Sequence, residues 1–245
     1  MLKVSIITIS YNAEITIENT LKSIESQSYD NIEHIIVDGG SHDNTLGICS
    51  SFPHISKIIS EPDKGVYDAF NKGLKLATGD IIGFLNADDV FYGEKSVQGI
   101  VDAFSNNETD IVYGNLDYVN VENKVLRNWI SKPYKKGLVK KAWMPAHPTF
   151  YCKKELYARL GGYNDSFKIA GDFELCLRFL EVNNISSFYL NKKLVKMLTG
   201  GISNRGLKSK WIIYKEELMA FKLNEIEVNP ILFFFHKLKK VSQFL

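Results

Sequence analysis

The sequence predicts an α/β protein built on a mainly parallel, Rossmann-like sheet with helices on both faces. Three observations carry that prediction. Four short runs rich in Val and Ile recur between Val4 and Leu85, separated by segments with helical apolar spacing. Strands alternating with helices of about ten residues imply right-handed βαβ units. The unusual polar residues fall directly after those runs, where open parallel sheets bind ligands. Neither a low-complexity linker nor an internal repeat divides the chain, so one two-part domain is expected.

Val4–Ser10 (VSIITIS) reads as a strand buried on both faces. Ile17, Leu21 and Ile24 follow at i, i+4 and i+7, the stripe of a helix. Glu33–Val37 is a second apolar strand and ends in Asp38-Gly39-Gly40. A short helix is expected after Ser41 as N-cap, with Asp43 as a first-turn acid. Lys57–Ser60 is a third strand. Val66–Ala77 places Phe70, Leu74 and Ala77 on one helical face, and Thr78-Gly79 ends it. Ile81–Leu85 is a fourth strand, stopping abruptly at Asn86-Ala87-Asp88-Asp89. Further on, Asp110–Tyr113, Lys124–Trp129 and Ser186–Leu190 read as strands, and Thr149–Cys152 as a short extended segment. Lys153–Leu160 and Asp172–Glu181 read as helices. The expected parts are 1–115, a smaller half 116–228 and a terminal helix 229–245.

Composition narrows the class. A chain of 245 residues with 45% apolar and 24% charged residues is an ordinary soluble globular protein with ample core. Its net charge of +2 gives no ground for a nucleic-acid partner. Cys49, Cys152 and Cys176 lie in no pairing or metal spacing and read as buried thiols of a reducing compartment. The β-branched start is unlike a signal peptide, and no apolar run approaches the ~20 residues that span a bilayer. A cytoplasmic protein is expected, free or peripheral on the inner face of the cytoplasmic membrane.

Four strand ends deliver polar groups to one edge. They are Thr8, Ser10, Tyr11 and Asn12 after the first strand, Asp38 after the second, Glu61 and Asp63 after the third, and Asn86, Asp88 and Asp89 after the fourth. Neither GxGxxG nor GxxxxGK[ST] occurs. A bound diphosphate would therefore need another counter-charge, and Mg²⁺ or Mn²⁺ on carboxylates is the simplest. Alternate residues of an extended segment share a side, so Asn86 and Asp88 suit one ligand; the same spacing equally suits a helix cap or Asx-turn. Asp38 suits either a ligand's N–H or hydroxyl, or an ordinary strand-to-turn acid. His147, between Pro145 and Pro148 in WMPAHPTF, sits in a segment of fixed geometry.

The segments VSIITISYN, IIVDGGSHDNT, EPDKGVYDAFNKGLKLATGDIIGFLNADD and GGYNDSFKIAGDFELCLRF occur in this order. Together they resemble the family 2 glycosyltransferases of bacterial surface-polysaccharide assembly, across roughly residues 1–205. The resemblance implies a GT-A fold, a nucleotide-sugar donor, usually UDP-linked, a divalent Mn²⁺ or Mg²⁺ and inversion at the anomeric carbon. It also implies that Thr8, Ser10, Tyr11 and Asn12 line the nucleoside pocket, that Asp38 bonds the base, and that Asp63 and Lys64 close its other side. Asn86-Ala87-Asp88 then stands where the family carries DxD, with Asp88 on the metal, Asn86 toward ribose or sugar, and Asp89 a further metal or sugar contact. The Asn is a departure, supplying a neutral oxygen where an acid is usual. Asp172 would be the catalytic base, with Glu174 pointing elsewhere on the helix. His147 would face acceptor or diphosphate. Trp143 suits a sugar platform or a core position, and Thr199–Gly206 suits a lid with Arg205 on phosphate. The family's processive members carry QxxRW and membrane helices; neither is found here, so one hexosyl or N-acetylhexosaminyl unit per encounter is expected. The implied acceptor is a saccharide on a polyprenyl diphosphate, in O-antigen, capsule or exopolysaccharide assembly.

At the C-terminus, Pro230 opens a helix whose stripe is Ile231, Phe234, Phe235, Leu238, Val241 and Leu245. His236, Lys237, Lys239 and Lys240 lie off it. The pattern fits an anionic membrane surface, and equally packing on the domain or in a homodimer. Two rival functions are a nucleotidyltransferase, which would want a basic glycine-rich loop near the N-terminus, and a nucleotide-sugar-binding scaffold without activity.

Overall fold

The computed structural model describes residues 1–200 and 206–241. Its first half is the expected alternation: β1 (Val4–Ser10), α1 (Ile17–Glu25), β2 (Ile32–Asp38), α2 (Thr45–Ser50), β3 (Ile55–Ser60), α3 (Val66–Leu76) and β4 (Ile81–Phe84). The run in β1 is continuously apolar because both its faces are covered. Ile6 and Ile7, adjacent in sequence and both fully buried, point into different cores. Ile7 joins Phe70, Phe84 and Phe173 on one face; Ile6 joins Ile24, Ile100 and Val112 on the other.

The second half adds β5 (Asp89–Phe91), α4 (Ser96–Asn106), β6 (Ile111–Val119), β7 (Val125–Trp129), β8 (Tyr151–Lys153), α5 (Lys154–Leu160), α6 (Gly171–Cys176), β9 (Ser187–Leu198), α7 (Gly206–Leu223) and α8 (Pro230–Val241). A π-helical stretch, Leu177–Val182, continues α6. Among the described residues, nine strands form one sheet in the order β3-β2-β1-β4-β8-β6-β9-β5, with β7 on β6. β3, β2, β1 and β4 are parallel, as is β6 with β9. β8 enters antiparallel between β4 and β6 and joins the two halves. The boundary expected at 115 thus falls inside β6.

Several elements differ from expectation. The helix after Ser41 starts only at Thr45, because Ser41 bonds Asp38 rather than capping it. β9 runs past Leu190 to Leu198, through Asn191, Lys192 and Lys193, whose polar side chains interrupt the apolar pattern. The three cysteines are buried and unpaired.

Candidate active site at the carboxyl edge of the sheet

Parallel register brings Ser10, Asp38 and Ser60 abreast at the ends of β1, β2 and β3. Asp38 is the hub of this row. It is fully buried and accepts five hydrogen bonds, from the hydroxyls of Ser10 (3.0 Å), Ser41 (2.5 Å) and Ser60 (2.7 Å) and the amides of Gly40 (3.1 Å) and Ser41 (2.8 Å). Burial alone would raise its pKa; the Ser41, Ser60 and Ser10 donors outweigh burial and hold it below the usual carboxylate range. Those bonds tie the ends of three strands together at Asp38. Thr8 is also fully buried, its hydroxyl 3.0 Å from His34 Nε2, so its side chain does not reach the cleft. Alternation along β1 turned it inward, a placement its proximity to the strand end concealed.

Tyr11 and Asn12 do reach the edge. Tyr11 is 62% exposed. Asn12 adopts a positive φ of 48° and stitches two loops: its amide donates to Ser41 Oγ at 2.8 Å and its Oδ1 accepts from the His42 amide at 2.9 Å. Opposite them is Asp63. A Cβ on Gly39 would lie 2.8 Å from Asp63 Oδ2 and 3.4 Å from the Tyr11 ring, so glycine is what lets carboxylate and ring meet there. Lys72, which spacing did not single out, fixes this loop. Its ammonium bonds Asp63 (2.6 Å), Glu61 (3.0 Å) and the Pro62 carbonyl (2.9 Å), and Asp63 and Glu61 push its pKa up against the opposing effect of burial. Lys64 is exposed, its amide donating to Asp68.

Beyond β4, the turn Asn86–Asp88 delivers the acids. The Asp89 amide donates to the Asn86 carbonyl at 3.0 Å, closing a tight turn, and Ala87 packs into the small core beneath. Asn86 Oδ1 is buried without a hydrogen-bond partner. Asp88 is half-buried; burial raises its pKa, partly countered by nearby His147. Asp89 is fully buried, and neither carboxylate oxygen makes a hydrogen bond of normal geometry. Burial and the neighbouring Asp88 charge keep it protonated well above the ordinary range. Orphaned oxygens beside a poorly solvated carboxylate fit a divalent cation that prefers hard oxygen ligands. Among the described residues, no group of three His, Cys, Asp or Glu could hold a metal ion by itself. A metal here would take one or two ligands from the protein and the rest from phosphate and water.

Across from these acids stands Asp172, second residue of α6. One oxygen accepts its neighbour's amide, Phe173 N–H, at 2.9 Å; the other lies 3.4 Å from His147 Nδ1. His147 interacts electrostatically with both Asp88 and Asp172, so it stands between the two acids. Burial lowers its pKa against the pull of those carboxylates, which keeps the ring neutral near pH 7. Gly171 lets the Tyr67 ring come close, since a Cβ there would meet it at 2.7 Å. The Tyr67 hydroxyl donates to the Ile169 carbonyl at 2.5 Å and accepts from the Asp172 amide at 3.4 Å. Glu216 of α7 completes the loop before α6, accepting amides from Lys168 (2.8 Å), Ile169 (2.9 Å) and Ala170 (2.9 Å). Glu174 points away, bonded to Arg178 and Asn224.

A wall that sequence reasoning missed borders His147. Trp129 meets His147 edge-on at 6.4 Å and stacks on Tyr118 at 6.2 Å, and the Arg127 guanidinium lies 5.3 and 5.6 Å from the Tyr118 and Trp129 centroids. The available signal was period two: Arg127 and Trp129 share one face of β7. Trp143 is half-buried against Tyr113 and Tyr134, an aromatic-core setting. Arg205 and most of the proposed lid lie outside the described residues.

An open, largely parallel sheet with acids gathered on its carboxyl edge and a further acid facing them is the architecture of the GT-A glycosyltransferases, and solved members superpose on it. Residues 1–349 of S. aureus TarS in complex with UDP-GlcNAc match 90% of this chain at TM-score 0.69 and 17% identity. The Pyrobaculum calidifontis mannosyltransferase PcManGT with GDP-Man and Mn²⁺ matches 94% at TM-score 0.65 and 22% identity. This chain spans 66% of the length of each. The sequence model of glycosyl transferase family 2 matches residues 5–168, and the chain belongs to that family. An uncharacterized glycosyltransferase of Mycobacterium tuberculosis is 37% identical over 179 residues, 71% of this chain and 68% of its own. A PGL/p-HBAD biosynthesis glycosyltransferase of Mycobacterium bovis is 29% identical over 206 residues, 82% of this chain and 78% of its own.

Proposed function

We propose that this family 2 glycosyltransferase moves one hexosyl or N-acetylhexosaminyl unit from a nucleotide-diphosphate sugar, UDP-linked in the first instance, to a saccharide hydroxyl, with inversion. The observation that carries the proposal is His147, in contact with Asp172 and coupled to Asp88 at the strand-end edge. The donors bound in the similar structures, UDP-GlcNAc and GDP-Man, support a nucleotide-sugar partner.

Each role follows from position. Asp63, clamped by Lys72 beside exposed Tyr11, accepts the base N–H, and the Tyr11 ring covers the base. Asp88, with Asn86 Oδ1, would hold the Mn²⁺ or Mg²⁺, which would supply positive charge for the departing diphosphate. Asp172 takes the proton from the acceptor hydroxyl as its oxygen attacks C1 from the side opposite the leaving group, which inverts the centre. Neutral His147 orients the Asp172 carboxylate without competing for its charge. Trp129 and Arg127 offer an aromatic face and a cation to the acceptor. A saccharide on a polyprenyl diphosphate, built at the inner face of the cytoplasmic membrane for O-antigen, capsule or exopolysaccharide, is the acceptor we favour.

A panel of nucleotide sugars screened by thermal shift with Mn²⁺ tests the donor, because a ligand at a hundredfold its Kd stabilises by about 2.7 kcal/mol. The true donor raises Tm only with metal and is then turned over with acceptor. Full activity in EDTA would refute the metal role, and stabilisation by no nucleotide sugar would refute the function.

A further inference from the structure

The terminal helix offered three readings, packing on the domain, packing in a homodimer or lying on a membrane, and its burial argues against the first. A helix that packs on its own domain buries its apolar stripe. α8 does the reverse. Its buried anchor is Phe233, which is not on the stripe and packs on Phe173, Tyr214 and Phe221. Its described stripe residues face outward: Ile231 is 69% exposed, Phe235 55% and Leu238 47%. α7 extends the same surface. Exposed Trp211 stacks on Tyr214 at 5.7 Å, and Tyr214 meets Phe234 at 5.7 Å, so the aromatic patch runs continuously from one helix to the other.

The patch has a basic border drawn from elsewhere in the chain. Between Glu122 and Glu155 there are nine Lys and Arg and no Asp or Glu, although the whole protein carries only +2. Part of that stretch, the 3-10 turn Val139–Lys141, packs against α8. The loop before it, with exposed Lys135 and Lys136, is pinned by Glu181, which accepts from the Tyr134 hydroxyl (2.6 Å) and the Gly137 amide (2.9 Å). Lys215 adds its charge on α7, over the Trp211 ring at 5.2 Å. Exposed aromatic and aliphatic side chains beside cations are what a surface needs to enter a headgroup layer of negative charge. Among the described residues no helix is long and apolar enough to cross a membrane.

We infer that α7, α8 and the Lys135–Lys141 loop form one docking face for an anionic phospholipid surface. The inner side of the same helices holds α6, through Phe173 and through Glu216 on the loop before Asp172. Docking therefore seats the bilayer against the half of the enzyme that carries the acceptor base. This deepens the reading of a lipid-borne acceptor and rests on it only for its purpose.

The test is sedimentation of the full chain with phosphatidylcholine vesicles, with and without phosphatidylglycerol, alongside transfer to a short water-soluble acceptor. Wild type is expected on the anionic vesicles only, released by salt, with Trp211 fluorescence shifting blue against a Trp211→Phe control. Phe235→Ser/Leu238→Ser should weaken binding at least about tenfold. Lys135→Ala/Lys136→Ala/Lys141→Ala, all on exposed or half-exposed sites that leave the core intact, should weaken it about a hundredfold. Both variants should keep soluble-acceptor transfer. Absence of vesicle binding, or undiminished binding by the lysine variant, overturns the inference. So does a wild-type dimer in sedimentation velocity that Phe235→Ser/Leu238→Ser dissociates, which would make the patch a subunit interface. Vesicle binding without any transfer would leave this face standing and remove the enzymatic reading instead.

Discussion

His147 Nδ1 lies 3.4 Å from Asp172 Oδ2, a neutral imidazole facing the acid at the start of α6. The contact gives the Asp172 carboxylate a fixed direction. Asp172→Asn should lower kcat by about 10²–10⁴-fold, the usual worth of a general base. UDP affinity, measured by calorimetry, should be unchanged. A fully active variant would remove Asp172 as the base.

Asp63 and Asp38 should separate cleanly. Asp63→Asn is expected to weaken donor binding about 10- to 100-fold, the loss of one hydrogen bond to a charged acceptor, with little change in stability. Asp38→Asn turns an amide toward five donors and should cost about 2–4 kcal/mol in urea unfolding. Whatever folds should bind donor normally. Equal donor defects in both would contradict this division.

Glu216 touches three backbone amides ahead of α6, and its value lies in where it leaves Asp172. Glu216→Ala should lower kcat about 10- to 100-fold with donor KM unchanged, the scale of a small misplacement of a reacting group. Added formate should restore part of the rate to this variant and none to Asp172→Asn. A change confined to Tm would reduce Glu216 to a packing role.

Stability should fall on the acid side of neutrality. Burial and the adjacent His54 depress the His34 pKa from 6.5 to about 3. The unfolded chain therefore takes up a proton that the folded one refuses, and stability declines between those values by about 1.4 kcal/mol per pH unit. Glu33, lowered to about 2 because donors from Ser5, Thr78 and Lys3 outweigh its burial, adds a similar decline below pH 4.5. His34→Gln should flatten the upper part of the urea-midpoint profile. An unaltered slope between pH 6.5 and 4.5 would show that His34 titrates normally.

The first half was legible because β-branched runs and 3.6-period stripes are local signals, and the parallel sheet follows from their alternation. The second half was not, because its elements form through distant pairing. β5 is three residues long and exists only against Val195–Met197 of β9. α7 spreads its apolar residues around the helix, so no stripe announces it. The site was read by type more than by role. The resemblance set Asp63, Asp88 and Asp172 around one donor; in the structure Asp63 lies by Gly39 and Tyr11, while Asp88 and Asp172 both interact with His147. The inward turn of Thr8, the saturation of Asp38 and the services of Lys72 and Glu216 depend on burial and on partners far along the chain.

The missing side chain at Gly39 has one more consequence. Its space and the Asp63 carboxylate exclude one another, so two loops share a single vacancy for one negative charge. A protein that moved its acid to position 39 would have to vacate 63, and the two positions should drift together or not at all. Gly39→Asp alone should be crippling, and Gly39→Asp with Asp63→Gly should recover the donor. Base recognition would then be a property of the gap between the loops, open to being filled from either bank.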